Sequence, residues 1–382
     1  MNEFEIVITT LFGLEAFCAR EVKRLGYDDV KTEDGRVTFK GDMTAVARAN
    51  MQIRTGERVF IKAGEFEALS FEELFDKTAA LDWEGFIPKG AAFPVKGHTL
   101  KSRLASERDC QAIIKKAVAK RLQSVYNLSW MPEDGAVYQI QFSLLKDRVT
   151  LLIDTSGEPL HKRGYRRTAN AAPLRETIAA AMVMMSYWKY EYPLCDPFCG
   201  SGTIPIEAVL FKENIAPGIN RSFAYEKFFQ TDSSVKTAAL EEAKSLIRDI
   251  PLTIFASDKD RAAVDIAKTN AKNAGVDRYV NPRIADAADF MSAESYGCII
   301  CNPPYGERLG EKEDCYRLYS KIGKMFSRLD EWSLYALAAD EDFERHFGKR
   351  ADKRRKIYNG MIKCNIYQYF GAKPPKPAKT ND

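Results

Sequence analysis

The chain has 382 residues, more than one hydrophobic core usually organises, so two or three domains of about 100–200 residues are expected. Hydrophobic residues at 45% and charged residues at 29% exclude disordered, collagenous and membrane-embedded classes and point to a soluble globular protein. The net charge is only +4, yet it is unevenly placed: residues 89–121 carry +7, residues 162–175 carry +5 and residues 345–356 carry +6, which leaves −14 for the remainder. Cations confined to three short windows suit a phosphate-bearing partner, and three solvated faces that never meet suit them equally well.

Glu3 and Glu5 stand where a secretory signal would carry its basic region, so no signal is expected and the cytoplasm is the default location. Residues 4–65 read as strand (4–10), helix (12–25), a hairpin turning at Asp34-Gly35, helix (43–53) and strand (58–63). That order, βαββαβ, is the ferredoxin-like pattern, a scaffold that implies no chemistry. A second unit opens at the capping box Ser70-Phe71-Glu72-Glu73. In its helix, residues 107–124, the residues Cys110, Ile113, Ile114, Ala117, Val118 and Leu122 follow helical spacing, and Lys115, Lys116 and Lys120 fall on the other face. Residues 137–144 and 148–153 flank Lys146-Asp147 and read as a hairpin without glycine at its turn.

With Lys96, Lys101, Arg103 and Arg108 in the preceding segment, this helix offers a cationic row suited to a phosphate backbone. The run Phe93-Pro94-Val95-Lys96-Gly97-His98, continued by Leu104 to Ala117, resembles the THUMP module, an RNA-binding unit of RNA-modifying enzymes. A break comes at Ser156-Gly157-Glu158-Pro159, and Arg163, Arg166 and Arg167 mark a basic junction expected to contact RNA. Domains are accordingly expected at 1–65 (ferredoxin-like), 66–156 (THUMP) and 165–371, with a disordered Pro- and Lys-rich tail over 372–382. In the third, strands and helices alternate, the mark of a parallel sheet covered on both faces. Its most apolar stretch, residues 177–188, is shorter than the roughly 18–20 residues that a membrane span needs.

The densest chemical signal is Asp196-Pro197-Phe198-Cys199-Gly200-Ser201-Gly202-Thr203, a glycine turn between a short apolar strand and a helix. A dinucleotide site would want an acid about 20 residues on. The next acid that ends a strand, Asp258, lies 56 residues past Gly202. A further one, Asp286, comes after an expected strand at 280–284. Each aspartate alone also fits a helix cap or turn. The second signal is Asn302-Pro303-Pro304-Tyr305-Gly306 after the apolar run Cys298–Cys301. Two prolines remove two donors and hold Asn302 extended. An Asn oxygen and a rigid carbonyl offer two acceptors to the two hydrogens of an exocyclic amine, and Tyr305 can stack on its base. Cys298 and Cys301 fit a buried strand rather than half a metal site, the three histidines form no cluster, and the eight cysteines read as reduced thiols.

The glycine motif closely resembles the first S-adenosylmethionine motif of class I methyltransferases, an α/β, Rossmann-like fold. The resemblance implies that the cofactor lies over Asp196, Pro197, Cys199, Gly200, Ser201, Gly202 and Thr203, with Asp258 on its ribose, Asp286 on its adenine and Asn302 nearby. It implies Asn302, Pro303, Pro304 and Tyr305 as the catalytic turn. Arg354 and Arg355, expected to hold the RNA backbone, enter an Asn359-Gly360 hairpin that fits the antiparallel closure of this fold. In their order along the chain these parts resemble the bacterial THUMP-domain guanine-N2 RNA methyltransferases, those acting on 23S ribosomal RNA above all. The expectation is methyl transfer from S-adenosylmethionine to a guanine N2 amine of structured RNA, without a metal. A transfer-RNA substrate, an adenine-N6 acceptor and a non-catalytic RNA-binding assembly factor are the alternatives.

Overall fold

The computed structural model describes residues 3–166, 174–305, 311–360 and 362–375. It divides into two compact units: Met1–Thr10, Cys18–Leu160 and Gly218–Ser245 form one, and Leu11–Phe17, His161–Pro217 and Leu246–Asp382 the other. The tail beyond residue 375 lies outside the described residues, as do Arg167 and the segment after Tyr305 that carries Gly306.

The chain opens with β1 (Phe4–Thr10), α1 (Glu15–Arg24), β2 (Lys31–Glu33), β3 (Arg36–Gly41), α2 (Met43–Gln52), β4 (Gly56–Glu67), α3 (Phe71–Ala79), β5 (Val95–Leu100), α4 (Glu107–Tyr126), β6 (Ile140–Leu145) and β7 (Arg148–Asp154). The strands make one seven-stranded sheet, β2-β3-β1-β4-β7-β6-β5. β4 runs past the expected 58–63 at both ends because each end has a partner: Gly56 faces Thr10 on β1, and Gly64 to Glu67 face Leu151 to Arg148 on β7. The ferredoxin-like part and the segment after it therefore share a sheet. β6 starts three residues later than expected, since Val137 makes only an isolated bridge to Ala92. The β6–β7 turn is closed without glycine by Lys146 and Asp147, both at positive φ (51° and 66°), the left-handed pair a type I′ turn requires.

α4 buries Cys110, Ile114, Ala117, Val118 and Leu122 from the face its spacing predicts, and leaves Ile113 half-buried at its edge. Ser106 caps its start by accepting the Asp109 amide at 3.2 Å. α3 is capped likewise by Ser70, while Glu73 reaches back to the amide of Leu69, one residue beyond the cap.

The chain continues with α5 (Glu176–Met185), β8 (Leu194–Asp196), α6 (Thr203–Lys212), α7 (Ser233–Ser245), β9 (Ile254–Asp258), α8 (Arg261–Ala274), β10 (Arg283–Ile284), β11 (Cys298–Cys301), α9 (Glu311–Phe326), β12 (Ser333–Ala338), α10 (Phe343–Phe347), β13 (Lys353–Asn359) and β14 (Ile362–Tyr369). The second unit's sheet runs β10-β9-β8-β11-β12-β14-β13, parallel through β12 and antiparallel in the closing hairpin. β11 is buried on both faces, Cys298 and Ile300 in one core cluster and Ile299 and Cys301 in the other, as strand alternation demands. β10 has two residues, not five, because Pro282 just before it has no N–H to give to a ladder. Strand order reverses direction between β8 and β11, where a crevice opens at the carboxyl ends of open α/β sheets.

α7, although it lies between α6 and β9 in the chain, belongs to the first unit. Arg48 on α2 holds it through two hydrogen bonds of 2.7 Å to Glu242, and also donates to Leu25 O and Tyr27 Oη. The Tyr138 ring stacks on Phe228 at 4.2 Å, and its hydroxyl accepts the Phe229 amide. Arg48 holds the Glu242 carboxyl below the usual glutamate range, so the pair contributes in full above the ordinary pKa of about 4.3 and is lost as pH falls through the lowered one. Arg48→Ala is expected to speed amide exchange across α7 at pH 7 while leaving β11 and β12 protected. The same helix should lose protection in the unaltered chain only under acid conditions.

Candidate active site

The glycine turn is tied down from three sides. The Cys199 amide donates to Ser257 O at 2.9 Å, the Gly200 amide to Asp258 Oδ2 at 3.0 Å, and Asn270 on α8 donates to Ser201 O at 2.9 Å. Gly202 caps α6 at φ 82°, and a Cβ there would stand 3.1 Å from that of Ala267. Only glycine takes this backbone comfortably and lets α6 and α8 approach so closely.

Each of the three strand-end aspartates caps the turn that its strand enters. Asp196 accepts the Phe198 amide at 3.1 Å, Asp258 the Asp260 amide at 3.0 Å, and Asp286 the Ala288 amide at 2.9 Å. Local capping and ligand binding are thus not rival roles. Asp196 is buried, and desolvation, outweighing the Phe198 hydrogen bond and reinforced by the Asp258 charge, pushes its carboxyl well above the usual aspartate range. The neighbouring Cys199 thiol is also pushed up by burial, which makes it a poor nucleophile.

Asn302 leaves β11 half-buried, Pro303 is buried and Pro304 exposed. The Tyr305 hydroxyl donates to Asn302 Oδ1, and Tyr319 on α9 donates to Pro304 O at 2.8 Å. A cavity of about 690 Å³ brings these parts together: Asp196, Pro197, Cys199, Gly200, Ser201, Thr203, Asp258, Asp286, Asn302 and Pro304 all line it. Gly202, Pro303 and Tyr305 flank the lining residues in the chain. Sequence reasoning missed the wall supplied by α9, where Asp314, Cys315, Arg317, Leu318 and Lys321 face the same cavity. The i, i+3, i+4, i+7 spacing of Asp314, Arg317, Leu318 and Lys321 after the Asn-Pro-Pro-Tyr turn was the available signal.

Comparison with known proteins gives this arrangement a lineage. The RMKL-like methyltransferase domain family matches residues 163–368, the RlmL ferredoxin-like domain residues 5–60 and the THUMP domain residues 68–154. The chain belongs to the RMKL-like methyltransferase family. It is 44% identical to YpsC of Bacillus subtilis (strain 168), provisionally named an RNA methyltransferase, with both chains covered in full. It is 32% identical to the ribosomal RNA large subunit methyltransferase K/L of Psychromonas ingrahamii, over 98% of this chain and only 52% of that longer protein. Among solved structures, a Listeria monocytogenes protein described from prediction as an N6-adenine-specific DNA methylase is 46% identical, with a TM-score of 0.93 over 97% of both chains. SMU.472, solved with SAH, is 41% identical, with a TM-score of 0.93 over 98% of this chain and all of that one.

The RMKL-like domain is an S-adenosylmethionine-dependent methyltransferase fold, and the residues present fit that cofactor. A desolvated carboxylate at Asp196 suits a cationic amino group, Asp258 and Asp286 supply acceptors for hydroxyl and amine donors, and the glycine turn leaves room beside them. Among the described residues no group of three or more His, Cys, Asp or Glu is placed to hold a metal ion, and no helix is long and apolar enough to cross a membrane. All eight cysteines are unbridged and buried.

The cationic residues expected at RNA divide sharply. Lys96, Lys101, Arg103, Arg108, Lys116 and Lys120 are exposed in the first unit. Lys115 is not part of that row: its ammonium lies 2.5 Å from Glu133, donates to Phe93 O and sits 3.6 Å over the Phe93 ring. Arg163 is a correction, since it is buried 3.6 Å from Glu207 and reaches no outer surface. Arg166 is likewise turned inward, donating to Leu174 O and Thr203 Oγ1 beside Glu176. Arg354 is half-exposed near Glu344, whereas Arg355 donates to Gly13 O and covers the Phe17 ring.

Because Asp196 holds its proton more strongly folded than unfolded, the stability it contributes is full below the ordinary aspartate pKa of about 3.9 and is lost as pH rises through the raised one. Asp196→Asn is therefore expected to raise the melting temperature of the cofactor-free protein at pH 7–8 and to abolish S-adenosylmethionine binding. Calorimetric titration in buffers of different ionisation heat should show the unaltered chain releasing protons as the cofactor binds.

Proposed function

We propose that this chain methylates an exocyclic amine of an RNA base, with guanine N2 in large-subunit ribosomal RNA as the acceptor. The observation that carries the reading is one cavity lined both by the glycine turn with its three strand-end carboxylates and by Asn302 and Pro304. The K/L relatives, whose names specify large-subunit ribosomal RNA, support the substrate class. The proposed domains are 1–65, 66–156 and 165–371, the second gripping RNA through Lys96, Lys101, Arg103, Arg108, Lys116 and Lys120.

Bound S-adenosylmethionine supplies a methyl group already activated on a sulfonium. The chain has to place the nucleophile. An aromatic amine has its lone pair delocalised into the ring, and acceptors on its two hydrogens orient the nitrogen and stabilise the positive charge that grows on it. Asn302 Oδ1 and the Pro303 carbonyl serve as those acceptors, and Tyr305 stacks on the extruded base. No strong base is needed, and none of the described residues lining the cavity is a histidine. Positioning of this kind can lower the barrier by about 7–11 kcal/mol.

Adenine N6 offers the same two donors, and the Listeria structure was described with that acceptor in mind. Nucleoside mass spectrometry of ribosomal RNA from a strain lacking the gene separates the two. Loss of N2-methylguanosine is the expected outcome; loss of N6-methyladenosine instead would transfer the reading to adenine. Asn302→Ala is expected to slow transfer by on the order of a hundredfold or more with cofactor affinity retained. A Lys116→Glu, Lys120→Glu double variant should weaken RNA binding at low salt and flatten its salt dependence. An unchanged salt slope would remove α4 from the interface.

A further inference from the structure

The Asn302-Pro303-Pro304-Tyr305 turn is held by two tyrosine hydroxyls, only one of which belongs to it. Tyr319 sits two turns into α9, fully buried among Ile322, Met325 and Tyr367, with its ring edge-on to Phe343 at 4.8 Å. A ring so enclosed has few rotamers open to it, so its hydroxyl is a fixed point. That hydroxyl leaves the cluster and donates to Pro304 O at 2.8 Å. Burial, with the neighbouring Cys315 and Asp340, pushes the phenol up, so it stays protonated and remains a donor throughout the physiological range.

Pro304 O belongs to the peptide plane from which Tyr305 departs. Fixing this carbonyl fixes the plane, and hence the direction in which the Tyr305 side chain leaves the turn. The Tyr305 hydroxyl in turn donates to Asn302 Oδ1. A phenol can donate to the oxygen end of a carboxamide or accept from its NH₂; here it donates, so the amide is held with its oxygen on the tyrosine. A carboxamide oxygen has two lone pairs, and one remains for a substrate hydrogen. With the amide reversed, Asn302 would present donors to an acceptor amine that is itself a donor.

We infer that Tyr319 is a positioning residue for methyl transfer, bracing the turn from α9 so that Tyr305 keeps the Asn302 oxygen facing the acceptor amine. The inference rests on the amine-methylation reading above, and it adds a residue that touches neither substrate nor cofactor. It also gives the Tyr305 hydroxyl a task distinct from the stacking of its ring.

The test uses the full chain with Tyr319→Phe, Tyr305→Phe and the double variant, tritiated S-adenosylmethionine, and ribosomal RNA from a strain lacking the gene. Tyr319→Phe keeps the buried ring and removes one hydrogen bond, so kcat should fall roughly three- to tenfold. KM for RNA, cofactor Kd and melting temperature should stay close to those of the unaltered chain. In the Tyr305→Phe background the same substitution should cost much less, because its effect is transmitted through the missing hydroxyl. Amide exchange at Asn302 and Tyr305, the two amides of the turn, should rise in Tyr319→Phe. The inference is overturned by an unchanged kcat, by fully additive effects, or by a loss of cofactor affinity and melting temperature in step with kcat. If the unaltered chain transfers no methyl to RNA, the reaction itself is misassigned. Exchange at Asn302 and Tyr305 then decides the brace alone, and unaltered protection there overturns it.

Discussion

A carboxylate buried with no matching cation among the described residues is the constraint on which the site depends. Asp196 ends β8 at the point where strand order reverses, and taking its charge out of water is costly unless something positive arrives. The described surroundings do not relieve that cost. Asp258, which ends the adjacent strand, adds a second negative charge, and the hydrogen bond from the Phe198 amide does not offset burial. Stability is therefore held below what a neutral residue would allow, the usual signature of a site shaped for its ligand rather than for the empty fold. The glycine turn, pinned through Gly200 to Asp258 and through Ser201 to Asn270, keeps the carboxylate in place while it waits.

Most of the fold was legible because its periods are unambiguous. α4 declared its buried face through six residues at helical spacing, and β11 declared itself through four apolar residues between a glycine and an asparagine. Where boundaries slipped, the cause was pairing or its absence. β4 is extended by β1 at its start and by β7 at its end, and β10 is cut short by Pro282. The placement of α7 in the first unit could not be read locally. It depends on Arg48 meeting Glu242 across 194 residues, and neither residue's neighbours announce the other.

The site was legible for a different reason: its residues are short motifs whose backbone demands are peculiar to glycine and proline. Ten of the residues expected there line one cavity because the topology of a parallel sheet delivers every strand's carboxyl end to the same edge. Charge was the poorest guide. Lysine and arginine look alike in composition whether they face water or a buried glutamate, and Arg163, Arg166, Lys115 and Arg355 all turn inward. A count of cations sets an upper bound on a phosphate-binding surface and says nothing about which of them reach it.

α9 shows what a motif leaves out. The Asn-Pro-Pro-Tyr turn has rigidity from its prolines, yet proline fixes φ and not ψ, so the carbonyls are still free to tilt. A turn that must present an oxygen in one direction needs a reference outside itself. Tyr319 provides one from the body of the hydrophobic core, where close packing tolerates little movement. In amine methylation the nucleophile must meet the methyl carbon in line, and a misplacement of about 1 Å can cost a hundredfold in rate. Under that tolerance the core cannot be treated as mere support: a buried aromatic ring on the helix after the motif takes part in setting the geometry of transfer.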